Sequence, residues 1–436
     1  MASTRIYRTL ASTGTNGKLT ISFWVKRAKL GSDQEVVSNY YSGSYYATVR
    51  FLSDDTLEFR DYRTTEIMRR VTNRVFRDTN SWYHIVCNFD NSLGTTSQKV
   101  FVNGVEETSF SSIVDYSTDA ITSWNTDYLH EIGCRNSSSY FDGSLSDLYF
   151  IQGQQYDAST FGETDATTGE WKPNTNPTID YSCTGTNSYH LKFANSSNMD
   201  LDSGDNTVSF TTAGNLTQTE DNPSDVFATM NPLVTDTDMS FINGNTTQQR
   251  TSGSWDYSVS TLGANKGKFY FEGKIGGSGH WILGATSDID GIGELGNGTG
   301  DTGWRNSGGV KVSGSEPGYS PSVSYTSSDV VCVAMDLDNR KIYFRKNADA
   351  WINSGDPTSG ATGTGAFALD NTTDTYFFGV CSYITSGTGT WDINFGNGYF
   401  GTTIISSEGT NASNIGKFEY DVPTGYTALS TKGLNE

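Results

Sequence analysis

Apolar and polar residues alternate with a period of two along much of the chain. The first run is Leu19-Thr-Ile21-Ser-Phe23-Trp-Val25; Glu35-Val-Val37, Ala47-Thr-Val49-Arg-Phe51 and Thr56-Leu57-Glu-Phe59 follow, separated by Gly, Asp and Ser. Such alternation predicts antiparallel strands with one buried face, joined by tight turns. Further strands are expected at 82–89, 98–103 and 145–151, and Asn103-Gly104 predicts a type I′ hairpin turn between two of the shorter runs. In the second half, 267–275, 281–284, 330–338, 341–347 and 376–380 read the same way. The stretch 330–347 is a hairpin on its own pattern, with Asp338-Asn339-Arg340 at the turn. Between the two halves, 173–250 carries few apolar residues. Tyr189, Phe193, Phe210 and Phe227 are anchors enough to predict an ordered connector lying along both halves.

The length of 436 residues fits two or three domains, or two if they are large sandwiches. Hydrophobic residues are 35% and charged residues 18%, below the usual ~45–50% and ~25%. Gly, Ser, Thr and Asn fill the gap, while 24 Tyr and 23 Phe supply the mass of a core. A helical bundle, a coiled coil and a disordered tail are excluded. No run approaches the ~20 apolar residues of a membrane helix, and no apolar stretch follows Arg5 and Arg8, so neither membrane insertion nor a signal peptide is expected. The formal charge of −20 argues against nucleic acid and anionic lipid as partners. Arg60, Arg63, Arg69, Arg70, Arg74 and Arg77 are a local exception. Such a run can grip an anionic polymer, but its ordinary state is a strand face paired with carboxylates, here Asp54, Asp55, Glu58 and Asp61.

Five cysteines (Cys87, Cys134, Cys183, Cys332, Cys381) are widely spaced, odd in number and without a CxxC, so free buried thiols are expected. His130 and Cys134 would share a face only on a helix, and their surroundings read as strand. No zinc site is expected. The histidines (His84, His130, His190, His280) complete neither HExxH nor a hydrolase triad; Cys134 stands where a second zinc histidine belongs. Asp288-Ile-Asp290-Gly291 and Asp200-Leu-Asp202-Ser-Gly204 space oxygens as calcium loops do, without the full ligand set. The expectation is a chain with no catalytic set, no metal and no cofactor.

Binding chemistry is better represented. Tyr40, Tyr41, Tyr45 and Tyr46 flank Ser42-Gly43-Ser44 at an expected hairpin tip, where neighbouring rings point to opposite faces and at least two should meet solvent. Trp304 and Arg305, in a Gly-rich stretch, and Trp351, beyond the 330–347 hairpin, are the other ligand-binding candidates.

Thr20-Ile-Ser-Phe-Trp-Val-Lys26, Trp82-Tyr-His-Ile-Val86, Val100-Phe-Val-Asn-Gly-Val105 and Phe141-Asp-Gly-Ser-Leu-Ser-Asp-Leu-Tyr149 resemble successive strands of a laminin-G, concanavalin A-like jelly roll over about 1–172. That resemblance implies a lectin-like two-sheet sandwich. The same family includes glucanases with a Glu-x-Asp-x-x-Glu strand; Glu163-Thr-Asp165-Ala-Thr-Thr168 lacks the third carboxylate. Gly267-Lys-Phe-Tyr-Phe-Glu-Gly-Lys-Ile275, the 330–347 hairpin and Tyr376-Phe-Phe-Gly-Val380 resemble a SPRY domain over 251–400. The expected fold class is therefore all-β, two antiparallel β sandwiches (jelly roll plus SPRY-like) joined by an irregular connector at 173–250, with 401–436 packing on the SPRY-like domain.

Phe161-Gly-Glu163, Trp171-Lys-Pro173, Phe227-Ala-Thr-Met-Asn-Pro232 and Pro423-Thr-Gly-Tyr-Thr-Ala-Leu429 add a resemblance of nearly the whole chain to virion proteins of tailed bacteriophages. It implies a non-enzymatic tail fibre, spike or capsid-surface knob, assembled in the host cytoplasm and displayed on the particle. Its implied partners are other virion proteins and a host cell-surface glycan or receptor. The alternative is a decoration or adaptor subunit that binds only virion proteins. No heptad repeat sets an oligomeric state, which stays open to a homo-oligomer.

Overall fold

The computed structural model describes residues 4–11, 17–182, 187–234, 238–289, 293–316, 323–371 and 374–436. The chain divides into two compact units, Met1–Gln218 and Thr219–Glu436, and the division falls within the segment expected as a connector. Among the described residues there is no α-helix, and no helix long and apolar enough to cross a membrane.

The first unit is a sandwich of two antiparallel sheets. One runs Phe110–Val114, Thr65–Val75, Thr56–Arg63, Tyr45–Phe51, Gln34–Ser42, Leu129–Ile132, Arg5–Thr9 and Thr211–Ala213 in spatial order. The other runs Tyr189–Leu191, Gly143–Gln152, Lys18–Arg27, Tyr83–Asp90, Lys99–Val102 and Val105–Glu106. The period-two pattern explains the core: Leu19, Ile21, Phe23 and Val25 face Val49, Phe51 and Phe59 of the opposite sheet. Asn103 and Gly104 both have positive φ (48° and 81°), as a type I′ turn requires. A Cβ on Gly104 would also fall 2.6 Å from the Trp171 ring, so glycine is needed there twice over.

Two pieces of the expected connector complete this unit. Tyr189–Leu191 pairs with Leu148, Tyr149 and Phe150 and places Tyr189 and Leu191 in the core. Thr211–Ala213 pairs with the first strand, Arg5 opposite Ala213 and Tyr7 opposite Thr211.

The second unit is organised by two 19-residue strands, Lys268–Thr286 and Tyr376–Asn394, paired with each other over their length. Their register slips at Gly276–Ser278 and Ser278–Gly279. Gly277 has φ +88°, and a Cβ there would stand 2.5 Å from the Thr388 carbonyl, so the bend needs glycine. On one side of the bend the pair is flanked by Thr247–Arg250 and Val331–Asp336, on the other by Asp256–Ala264 and Thr302–Arg305. Side chains from both sides, among them Phe271, Val333, Leu283 and Trp304, share one core, which makes this unit a sandwich too. The expected hairpin is present as Val331–Asp336 and Lys341–Lys346, with Asp336 accepting bonds from the Asn339 backbone (3.0 Å) and side chain (2.9 Å).

Residues 401–436 fold onto this same unit. Thr427–Ala428 runs parallel to Phe269 and Tyr270, and Ile415, Phe418, Val422 and Tyr426 cover Tyr270, Cys332 and Tyr343. Buried Glu272 accepts the backbone N–H groups of Glu419 and Tyr420, both at 2.8 Å. The unit is closed where it starts: Phe227 bridges Ser430, the Ala228 N–H donates to the Leu429 carbonyl (2.9 Å) and the Thr431 N–H to the Val226 carbonyl (3.0 Å).

Candidate binding surfaces

The tyrosine tip forms as the hairpin between Gln34–Ser42 and Tyr45–Phe51, with Tyr40 opposite Tyr46 and Ser42 opposite Tyr45. Tyr41 is 68% exposed and Tyr40, Tyr45 and Tyr46 are half-buried. The Tyr41 ring stacks on Tyr128 (centroids 5.2 Å, planes 24° apart) and meets Tyr45 edge-on (6.3 Å). Next to them Tyr46 stacks on its cross-strand partner Tyr62 (5.3 Å), beneath the guanidinium groups of Arg135 (4.4 Å) and Arg60 (5.3 Å). Arg63 lies 5.4 Å from the Tyr45 ring. Fixed rings carrying guanidinium groups give a surface that offers flat apolar contact and hydrogen-bond donors together.

Behind the tip, Glu35 and Arg50 of the same strands join residues of the neighbouring strands and Arg135 in an ion network on the face turned away from the core. Glu58 takes Arg50 (2.6 Å) and Arg69 (2.7 Å), Glu35 takes Arg135 (3.3 Å) and Arg50 (3.6 Å), and Arg60 pairs with Glu66 through two bonds of 2.8 and 2.9 Å. Burial pushes the Glu35 carboxyl up. Most of the arginine run is thus spent on carboxylates: Arg70 on Asp115, Arg74 on Glu107 (2.8 Å) and Arg77 on Asp55 (3.0 Å). Two expected partners are corrected. Asp54 caps its own turn through Thr56, and Asp61 points into the core, where it accepts the Tyr116 hydroxyl and the Ser123 N–H.

The histidines of this unit are interior groups. His84 lies between Trp24 (4.8 Å) and Trp171 (6.0 Å) and accepts the Trp171 indole N–H; His130 touches the Tyr189 hydroxyl at 2.6 Å. Burial lowers both to about 3, so both are neutral at physiological pH. Cys87, Cys134, Cys332 and Cys381 are free and buried; Cys183 lies outside the described residues. Asp202 spends its carboxylate on the backbone N–H groups of His190, Gly204 and Val208, while Asp290 and Gly291 lie outside the described residues.

In the second unit the candidates separate. Trp304 is a correction: it lies on the strand Thr302–Arg305 opposite Leu283, fully buried, its indole donating to the Val323 carbonyl (3.1 Å). Its ring is therefore unavailable to a ligand. Arg305, one residue on, points the other way and pairs with Glu294 and with Glu316 (3.1 Å). Trp351 is half-buried, its ring under Arg345 (4.6 Å) and edge-on to Tyr343 (6.4 Å).

Arg305 lines an open cavity of about 430 Å³ together with Trp255, His280, Glu294, Asn306, Ser307 and Tyr383. Trp255, His280 and Tyr383 were not among the sequence candidates. They are far apart along the chain and meet because His280 and Tyr383 are cross-strand partners beside the start of Asp256–Ala264. Only the register of the two long strands would have announced them.

Residues 6–154 match the family model of the concanavalin A-like lectin/glucanases superfamily. This is the stretch that builds most of the first sandwich and carries the tyrosine tip. Solved structures similar to the chain include the SPRY domain of human HERC1 (18% identity, 38% of this chain and 96% of that one, TM-score 0.28). A native heptameric SAP-like pentraxin from Limulus polyphemus (14%, 42% and 91%, 0.28) is another. So is domain 4 of AbnA, an extracellular arabinanase from Geobacillus stearothermophilus in complex with arabinotriose (18%, 33% and 64%, 0.25). No curated protein matches the chain.

Proposed function

We propose that this chain is a non-enzymatic recognition protein that binds a cell-surface glycan through its first sandwich. The observation that carries the reading is the exposed Tyr41 ring, held by Tyr128 and Tyr45 at the tip of a domain of the lectin/glucanase superfamily. A ring fixed by its neighbours loses little entropy on contact, so a sugar face can stack on it at small cost. The finer assignment, display on a tailed-phage particle as a fibre, spike or capsid-surface knob, rests on the sequence resemblance to virion proteins. On such a particle the tip would adsorb to the host surface.

The test is a glycan array probed with the full chain and with the Tyr41→Ala and Tyr45→Ala variants. Each ring contributes on the order of 0.5–1.5 kcal/mol beyond its burial, so each variant should lose about two- to tenfold in affinity for the bound glycan with a nearly unchanged melt. Unchanged binding with an intact fold would remove the tip from recognition. Burial of Tyr41 against a neighbouring subunit in an assembled particle would favour the adaptor role.

A further inference from the structure

We propose that the cavity of the second unit bounded by Trp255, His280 and Tyr383 is a separate site for a neutral saccharide of one to a few sugar units. This reading stands on the cavity's own geometry, independently of the tip. One wall is a continuous aromatic surface. Trp255 and Tyr383 lie 5.6 Å apart at 50°, Trp255 and His280 6.1 Å at 40°, and His280 and Tyr383 5.9 Å at 58°. The three rings adjoin one another, and they are reachable because His280 is exposed and the other two are half-buried. Trp255 is held in place by packing on the small core of Tyr257, Val259, Ile282, Leu295 and Cys381. The apolar wall is thus formed before any ligand arrives.

The rest of the lining, Glu294, Arg305, Asn306 and Ser307, is polar, and its two charged groups are already paired with each other and with groups beside the cavity. Arg305 is shared by Glu294 and Glu316, and Lys311 also pairs with Glu294 (3.1 Å), giving two positive and two negative groups. An anionic ligand would have to displace a carboxylate from Arg305, whereas a neutral one meets donors and acceptors without breaking a pair. Asn306 is fixed by three bonds: its Oδ1 accepts the Trp281 N–H (3.0 Å), its own N–H donates to the Trp281 carbonyl (2.8 Å), and its carbonyl accepts the Tyr325 N–H (3.1 Å). That leaves the amide Nδ2 as the group it can present to the cavity. Ser307 also lines the cavity.

A sugar ring matches both parts of the lining at once. Its C–H faces are apolar and flat, and its hydroxyls each donate and accept, which suits a lining that holds a carboxylate, a guanidinium, an amide and a serine. The size argues in the same direction. About 430 Å³ lies toward the lower end of the ~300–1,000 Å³ range of small-molecule sites, so the cavity suits a short saccharide rather than a folded partner.

The experiment uses the full chain with three neutral trisaccharides, maltotriose, cellotriose and mannotriose, and one acidic probe, trigalacturonic acid. Saturation-transfer NMR reads contact and a tryptophan-fluorescence titration reads affinity. At least one neutral probe should bind. Trp255→Phe should weaken it about threefold and His280→Ala about tenfold, the scale of one lost aromatic contact. His280 is exposed, so its removal leaves the fold intact and keeps the test open if Trp255→Phe destabilises the unit. Tyr41→Ala should leave this binding unchanged, and a loss with Tyr41→Ala alone would assign the probe to the tip. Absence of transfer from all three neutral probes, unchanged affinity in both cavity variants, or preference for the acidic probe would each overturn the proposal.

Discussion

Substituting Asp61 by Asn measures what a carboxylate costs inside the first sandwich. Asp61 lies on Thr56–Arg63 between Ala47 and Met68 and has no exposed surface. Its Oδ2 accepts the Tyr116 hydroxyl and the Ser123 N–H, both at 2.8 Å, while Oδ1 meets no donor among the described residues. Burial pushes the carboxyl from 3.8 up to about 6, outweighing those two bonds and the attraction of Arg63. Between these values the folded chain keeps a proton that the unfolded chain releases. The stability this group contributes is therefore full below pH 3.8 and is lost as the pH rises through about 6. At ~1.4 kcal/mol per pH unit the loss is ~3 kcal/mol. In Asp61→Asn the amide oxygen can accept both hydrogen bonds, and the amide nitrogen takes the place of the unpartnered oxygen. Its unpaired N–H groups cost ~1–3 kcal/mol at every pH, so the quantity to read is how the difference between variant and wild type changes with pH. Scanning calorimetry of the full chain at pH 4 and pH 7.5 supplies it. At pH 4 the unfolded carboxyl is already partly ionised, so ~2.4 kcal/mol of this remains to be lost by pH 7.5; for a unit of this size that corresponds to roughly 5–10 °C, and the variant should gain that much on wild type between the two conditions. An equal difference at both pH values would mean that the carboxylate charge costs nothing. A difference that moves against the variant would mean that the charge stabilises the fold.

Two further outcomes follow from the same structure. A fragment of residues 1–218 should fold alone with a cooperative melt, whereas 1–172 lacks Tyr189, Leu191 and Val208, and at ~1.5–3 kcal/mol per buried apolar side chain it should melt far lower or not fold; equal melts by circular dichroism would refute this. Burial pushes the Cys134, Cys332 and Cys381 thiols up to about 12 and Cys87 higher still, so native protein at pH 8 should leave these four unreactive to a thiol reagent, and five thiols should appear on denaturation; two or fewer in the denatured, unreduced protein would refute it.

The hairpins were the most legible part of the fold, because alternation and turn residues agree locally. Asn103-Gly104 and the 330–347 stretch could form only one simple structure. Trp304 was misread for the opposite reason. A four-residue strand among glycines carries too little alternation to reveal itself, and its inward face is set by a partner, Leu283, that sequence distance hides. The same holds for Tyr189–Leu191 and Thr211–Ala213, three-residue strands that exist because a longer neighbour templates them. Asp61 shows a further limit. A charged residue among arginines reads as a surface partner, yet its strand parity and the Tyr116 hydroxyl turn it inward. At the tip the four tyrosines were visible in sequence, but the rings that brace them, Tyr62 and Tyr128, and the arginines above them come from distant parts of the chain.

The pairing of first and last segments in each unit has a mechanical consequence. Arg5 stands opposite Ala213, and residues 226–228 run alongside 429–431, so the chain joins and leaves each unit at the same end of an antiparallel pair. Tension applied across such a unit pulls its two ends apart at one point. The hydrogen bonds are then loaded one after another, as in a zipper, and not together as in a shear. In the first unit Thr211–Ala213, which carries no core side chain, would open from Arg5–Thr9 first under a steady pull, lengthening the chain by a few residues while the core remains closed, whereas in the second unit 226–228 and 429–431 carry Phe227, Ala228 and Leu429, so the same pull meets the core at once. A protein that grips a surface while being tugged would in this way have extension in reserve before any ring at its tip is disturbed.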